Sequence, residues 1–105
     1  MNENKILSLL GLCRRAGKLT VGNDAAYTSI VGGKSKLIIY PRDISQNTLS
    51  KFLRRTEDFD VPCVKLNSTK DEVSHALGKL CAVASVEDSG FAKKLLGYVQ
   101  SDLEE

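Results

Sequence analysis

Nothing in the 105-residue chain approaches the ~20 consecutive apolar residues needed to cross a bilayer, so no membrane-spanning helix is expected. The opening MNENKILSLLGLCRRAGK lacks the basic start and small-residue cleavage site of a signal peptide, and the expected location is the cytoplasm. Cysteine is scarce. Cys13, Cys63 and Cys81 are odd in number, widely spaced and set in apolar runs, which supports neither a disulfide framework nor a zinc knuckle and points to buried free thiols. The one histidine, His75, falls mid-helix between Ser74 and Ala76 with no nucleophile signature beside it, as a surface or boundary residue would. GxGxxG is missing, and so is GxxxxGK followed by Ser or Thr, which removes the common phosphate-binding nucleotide loops. Asp43 after an apolar strand has the look of a phospho-acceptor, but no early acidic pair precedes it. Linkers, repeats and low-complexity tracts are absent as well. The expectation is one domain, monomeric, without enzymatic activity, cofactor or metal.

What is present suffices for a core: 42% of the residues are hydrophobic. The formal charge of +2 conceals a division along the chain. From Asn4 to Thr56 ten Lys and Arg stand against two acids, a net of +8, whereas from Glu57 onward five bases meet ten acids, a net of −5. Such asymmetry suits a polyanion on one face, although bases on solvated helix faces give the same count.

Periodicity orders the elements. Ile6, Leu9, Leu10 and Cys13 recur at helical spacing and predict an amphipathic helix from Asn4 to about Ala16, stopped by Gly17. Lys18 to Val21 has room for a short strand only. A second helix is expected from Asp24 to Val31, capped by Asn23 or Asp24, burying Ala26 and Ile30 with Tyr27 as a further candidate, and ending at Gly32-Gly33. Lys36 to Tyr40 is a continuous apolar strand of the kind covered on both faces. Ser45 is a good N-cap for a third helix carrying Leu49, Phe52 and Leu53, and Cys63 to Leu66 forms the next strand. Thr69 with Glu72 reads as a capping box opening a fourth helix, and Leu80 to Val86 as a fourth strand. Asp88 caps a last helix with Phe91, Leu95, Leu96 and Val99 on one side, and the acidic tail SDLEE is expected to fray. Strands alternating with helices predict an α/β fold: a three-layer α/β/α sandwich around a four-stranded mixed sheet, with about five helices.

The candidate site starts at Gly22-Asn23-Asp24, where small residues open a helix whose free N–H groups suit an anion or a base edge. Asn23 can bond a base edge as donor and acceptor; capping alone, at ~1 kcal/mol, also explains the residue. The loop Pro41 to Ser45 and the segment Gly78 to Cys81 are expected at the same end of the sheet, with Lys18, Arg42 and Lys79 as nearby cations and Leu80 as an apolar tip. Charge for phosphate, polar groups for base edges and an apolar surface for a splayed base together suit RNA. Leu80 as the first residue of a buried strand is the competing reading.

The run GLCRRAGKLTVGNDAAYTSIVGGKSKLIIYPRDIS, with VPCVKL, HALGK, VASV and GFAKKL after it, resembles the L-seven-Ae/L-thirty-e ribosomal protein superfamily, most closely its small bacterial YlxQ-type branch. The resemblance covers nearly the whole chain. It implies the same sandwich and binding to structured RNA, typically kink-turns whose tandem sheared G·A pairs widen the groove. The implied partners are rRNA and, beside it, ribosomal or other translation proteins. The family pattern Gly-x-Asn-Glu-x-x-Lys falls on Gly22 to Thr28: Gly22 matches, whereas Asp24 stands at the Asn position, Ala25 at the Glu position and Thr28 at the Lys position. Ser45, Lys70 and the loop holding Lys79 and Leu80 correspond to RNA-facing parts of the family; Leu49 is a candidate for the lining of the base pocket, which core packing explains equally well. Ala25 and Thr28 leave a second reading open, a protein-interaction module on the same fold that meets an acidic partner through Lys51, Arg54 and Arg55.

Overall fold

The spacing of Ile6, Leu9, Leu10 and Cys13 becomes the buried face of α1 (Glu3–Arg15) in the computed structural model, which describes residues 3–78 and 82–104. Glu3 in the first turn and Arg14 and Arg15 in the last complement the helix dipole. Then follow β1 (Leu19–Val21), α2 (Asn23–Val31), β2 (Leu37–Tyr40), α3 (Gln46–Asp58), β3 (Cys63–Lys65), α4 (Lys70–Leu77), β4 (Ala84–Val86) and α5 (Ser89–Glu104). The sheet order is β1-β4-β2-β3. β4 is antiparallel to both neighbours and β2 runs parallel to β3, giving a mixed sheet.

The KLIIY run shows why the sandwich has three layers. Leu37, Ile38 and Ile39 are all buried, yet Leu37 and Ile39 join a cluster with α1, α4 and α5, while Ile38 joins Ala26, Ile30, Phe52 and Val83 on the opposite face. Alternate side chains of one strand thus feed two apolar layers, and a run without polar alternation is the sequence form of that position. α1 lies beside α4 and α5 on one side, and α2 beside α3 on the other.

Local signals predict most helix starts. Ser45 Oγ accepts the Thr48 N–H at 3.3 Å, Thr69 and Glu72 form both bonds of the capping box, and Asp88 accepts the Phe91 N–H at 2.9 Å. Each satisfies an orphan N–H of a first turn. α2 departs from expectation: its N-cap is Gly22, at φ 114° and ψ 152°, and no side chain caps it. Asn23 and Asp24 are first-turn residues instead. The backbone at Gly22 turns sharply enough to start the helix one residue early, so the side-chain cap is bypassed.

Three further expectations need correction. The last strand begins at Ala84, and the expected strand start at Leu80 and Cys81 lies outside the described residues. Leu53 is 43% exposed, because α3 turns Phe52 and Thr56 inward and Leu53 falls outside that stripe. α5 continues through Glu104 where SDLEE was expected to fray, since extending an established helix costs far less than nucleating one.

Candidate nucleic-acid interface

Strand direction decides which loops meet. β1 ends, β2 ends, β3 ends and β4 begins at one end of the sheet, so the chain segments around Gly22, Pro41, Leu66 and Val83 line up there. Three strand spacings make that end about 14 Å wide. Backbone bonds tie the loops together: Gly22 N–H donates to the Val83 carbonyl at 3.0 Å, Leu66 N–H to Tyr40 at 2.8 Å, and Arg42 N–H to Ser68 at 2.9 Å. Asp43 adds a side-chain clasp, its carboxylate accepting the Lys70 N–H at 2.8 Å and so joining the β2–α3 loop to the start of α4.

Gly22, Asn23, Asp24, Arg42, Ser45 and Lys70 are therefore brought to one end, as the sequence suggests. Asn23, Asp24, Arg42, Ser45 and Lys70 are exposed. The charge there is tempered: Glu72 is held below the ordinary carboxylate range, first by the Thr69 backbone N–H, then by the Thr69 hydroxyl, with Arg42 contributing. Part of the Arg42 charge is thus answered within the protein. Ser45 is engaged too, since its hydroxyl donates to Thr48 Oγ1 at 2.8 Å while capping α3. Leu49 is half-buried one turn into α3. Lys79 and Leu80 lie outside the described residues.

Lys18 does not join this group. It precedes β1, and its carbonyl accepts the Glu87 N–H at 2.8 Å at the opposite end of the sheet. Four residue steps of extended chain, about 13 Å, separate it from Gly22.

Thr28 lies one turn along α2 from Asp24, and both line a groove of about 660 Å³ with Thr20, Ala25, Ser29, Gly32, Lys34 and Glu87. The wall is polar and organised. Ser29 Oγ donates to Glu87 Oε2 at 2.6 Å and lies 2.9 Å from Ser85 Oγ, which donates to Ser35 Oγ at 2.7 Å. Three buried hydroxyls thus keep partners beneath the groove, as interior polar groups must. Two carboxylates, Asp24 and Glu87, outnumber the one cation, Lys34, and make this flank of α2 mainly an acceptor surface, better suited to amino groups on base edges than to phosphate.

The other flank of α2 faces α3. Tyr27 meets Phe52 edge-on, ring centroids 6.2 Å apart at 77°, while Lys51 Nζ stands 4.7 Å and the Arg55 guanidinium 5.1 Å from the Tyr27 ring centre. The sequence named Lys51, Arg54 and Arg55 on one flank and Asp24 and Thr28 on the other, but not the pairings that organise them, because neither the serine chain nor the Tyr27 cluster lies within one element. The i,i+4 spacing of Lys51 and Arg55 was the one local signal available.

The two thiols among the described residues, Cys13 and Cys63, offer no alternative chemistry. Burial pushes Cys13 up to about 11, helped by the charges of Asp88 and Glu87, and burial likewise raises Cys63 to about 11 against a Thr56 hydrogen bond. Both stay protonated near neutral pH, when thiolate is the nucleophile and ligand. Cys63 is half-buried, against the expectation of full burial. No group of His, Cys, Asp and Glu among the described residues has the makings of a metal site. No helix among them is long and apolar enough to cross a membrane.

A mixed four-stranded sheet between two helical layers, with α2 opened by a glycine beside the β2–α3 loop, defines the class: a small α/β/α sandwich of the L-seven-Ae-like fold. A solved structure from Bacillus halodurans, described as a protein with unknown function, superposes with a TM-score of 0.85 at 31% identity, covering 91% of this chain and 97% of that one. A 15.5 kD RNA-binding protein from Giardia lamblia superposes at 0.77 with 20% identity, over 93% of this chain and 84% of its own, which speaks for the fold alone. Within the class the chain belongs to the YlxQ family: it is 37% identical over 93 residues to the RNA-binding protein YlxQ of Enterococcus faecium, covering 89% of each chain. The Bacillus subtilis (strain 168) protein of the same name is 35% identical over 92 residues, 87% of this chain and 91% of its own. No protein-family model matches the chain.

Proposed function

We propose that the protein is a cytoplasmic RNA-binding domain, associated with the ribosome or the translation machinery, that recognises structured RNA of the kink-turn kind at the Gly22 end of its sheet. The observation that carries this reading is the convergence of α2's glycine-opened N-terminus with the Pro41–Ser45 loop and Lys70, in a chain with curated relatives that bear the name RNA-binding protein. Backbone N–H groups and Lys70 serve phosphate; Asn23, Asp24 and the acceptor groove serve base edges. With Ala25 and Thr28 in place of the family's Glu and Lys, identity reading shifts toward Asn23 and Asp24.

The test is a titration of labelled kink-turn RNA and a straight duplex at two salt concentrations. The kink-turn is expected to bind more tightly, and both affinities to fall steeply with salt. Asn23→Ala is expected to weaken the kink-turn selectively, by about 1–3 kcal/mol if it reads a base edge, and Lys70→Ala to weaken both RNAs alike. Equal, weak binding of both RNAs by the unaltered protein contradicts kink-turn recognition.

A further inference from the structure

We infer that the ridge between α2 and α3, with Lys51 and Arg55 gathered over Tyr27 and the exposed Arg54 next to Arg55 along α3, is a second phosphate-binding surface that takes the backbone of an RNA stem leaving the turn end. This rests on the RNA reading above and extends its footprint.

Two like charges at i,i+4 on a helix repel each other, and a solvated face would let them splay apart. Here both cations gather over one aromatic ring, whose negative face holds them together. The ring is itself fixed: Tyr27 packs edge-on against Phe52, which is 2% exposed. Positioned cations lose less side-chain freedom when an anion arrives than free ones do. Counter-charge is slight. Arg55 has Asp58 at 3.9 Å, an exposed i,i+3 pair of small worth, and no ion pair among the described residues engages Lys51 or Arg54.

Position and sign favour RNA over an acidic protein. α2 and α3 both begin at the turn end, at Gly22 and Ser45, so the ridge is continuous with the candidate interface. The groove on the opposite flank of α2 carries Asp24 and Glu87 against the single cation Lys34, a net negative lining that disfavours phosphate. A stem seated at the turn end is thereby directed along the α3 side.

The experiment compares two RNAs with the same kink-turn, one with a short flanking stem and one longer by a full helical turn, against the full chain and against the Lys51→Gln, Arg54→Gln, Arg55→Gln triple variant. Thermal unfolding confirms that the variant is folded. The unaltered protein is expected to bind the longer RNA more tightly, with a salt slope steeper by about 2–3, and the variant to bind both RNAs like the shorter one. Equal gains for protein and variant overturn the inference. Tight binding of the short RNA with no gain from the longer stem also overturns it, leaves the turn-end reading standing, and returns the ridge to an acidic protein partner. Binding of neither RNA removes both proposals.

Discussion

Replacing Phe52 with alanine is expected to destabilise the protein by about 3–5 kcal/mol, a large share of the 5–15 kcal/mol typical of a native domain. Phe52 is 2% exposed in a layer whose other buried members are Ala26, Ile30, Ile38 and Val83, so it supplies the largest side chain there. Its loss removes the transfer term, opens a cavity between α3 and the sheet, and takes away the edge on which Tyr27 rests. The melting temperature is expected to fall by at least about 12 °C, from a shift of roughly 4 °C or more per kcal/mol in a domain of this size. Phe52→Leu, which keeps most of the volume, is expected to cost far less. Urea unfolding of the two variants checks both; a loss below 1 kcal/mol in Phe52→Ala means that the α2–α3 layer is not packed as described.

The second large effect is at Gly22, where stability and recognition are coupled. With φ 114° and ψ 152° the residue sits in a region almost confined to glycine, so Gly22→Ala is expected to cost about 1–3 kcal/mol. An added Cβ meets nothing within 4 Å, so the cost is backbone strain and not a collision. The turn relieves that strain only by moving, and moving it re-aims the N–H groups of α2 and the side chains of Asn23 and Asp24. Gly33→Ala is the control: φ is 75°, again with no atom within 4 Å, but at the far end of α2. Both variants are expected to lose stability in thermal unfolding, and Gly22→Ala alone to lose RNA affinity beyond its unfolded fraction. Equal RNA binding by the two removes Gly22 from the site.

What the sequence made legible is what local interactions decide. The α1 stripe, the caps at Ser45, Thr69 and Asp88, and the two-faced β2 run each depend on residues within one turn or one strand, and each is found where expected. Lys18 was misplaced although the signal was local: it precedes β1 and Gly22 follows it, so the extended strand alone puts about 13 Å between them. The cap of α2 was misjudged because the usual preference for polar side chains pointed to Asn23 or Asp24, while the backbone angles of Gly22 settled the matter. The acceptor groove joins Ser29 to Ser85 and Glu87, and the ridge joins Tyr27 to Lys51 and Arg55. Both require partners on different elements, and only the packed structure supplies those pairings.

Following backbone amide resonances by NMR while a kink-turn RNA is added tests the turn-end site most directly. Shifts are expected to cluster at Gly22 to Thr28, Pro41 to Ser45 and Lys70, with Lys18 and Lys36 at the far end of the sheet unmoved. Shifts centred on Lys18, Lys34 and Lys36, or none at any RNA concentration reached, contradict the turn-end site.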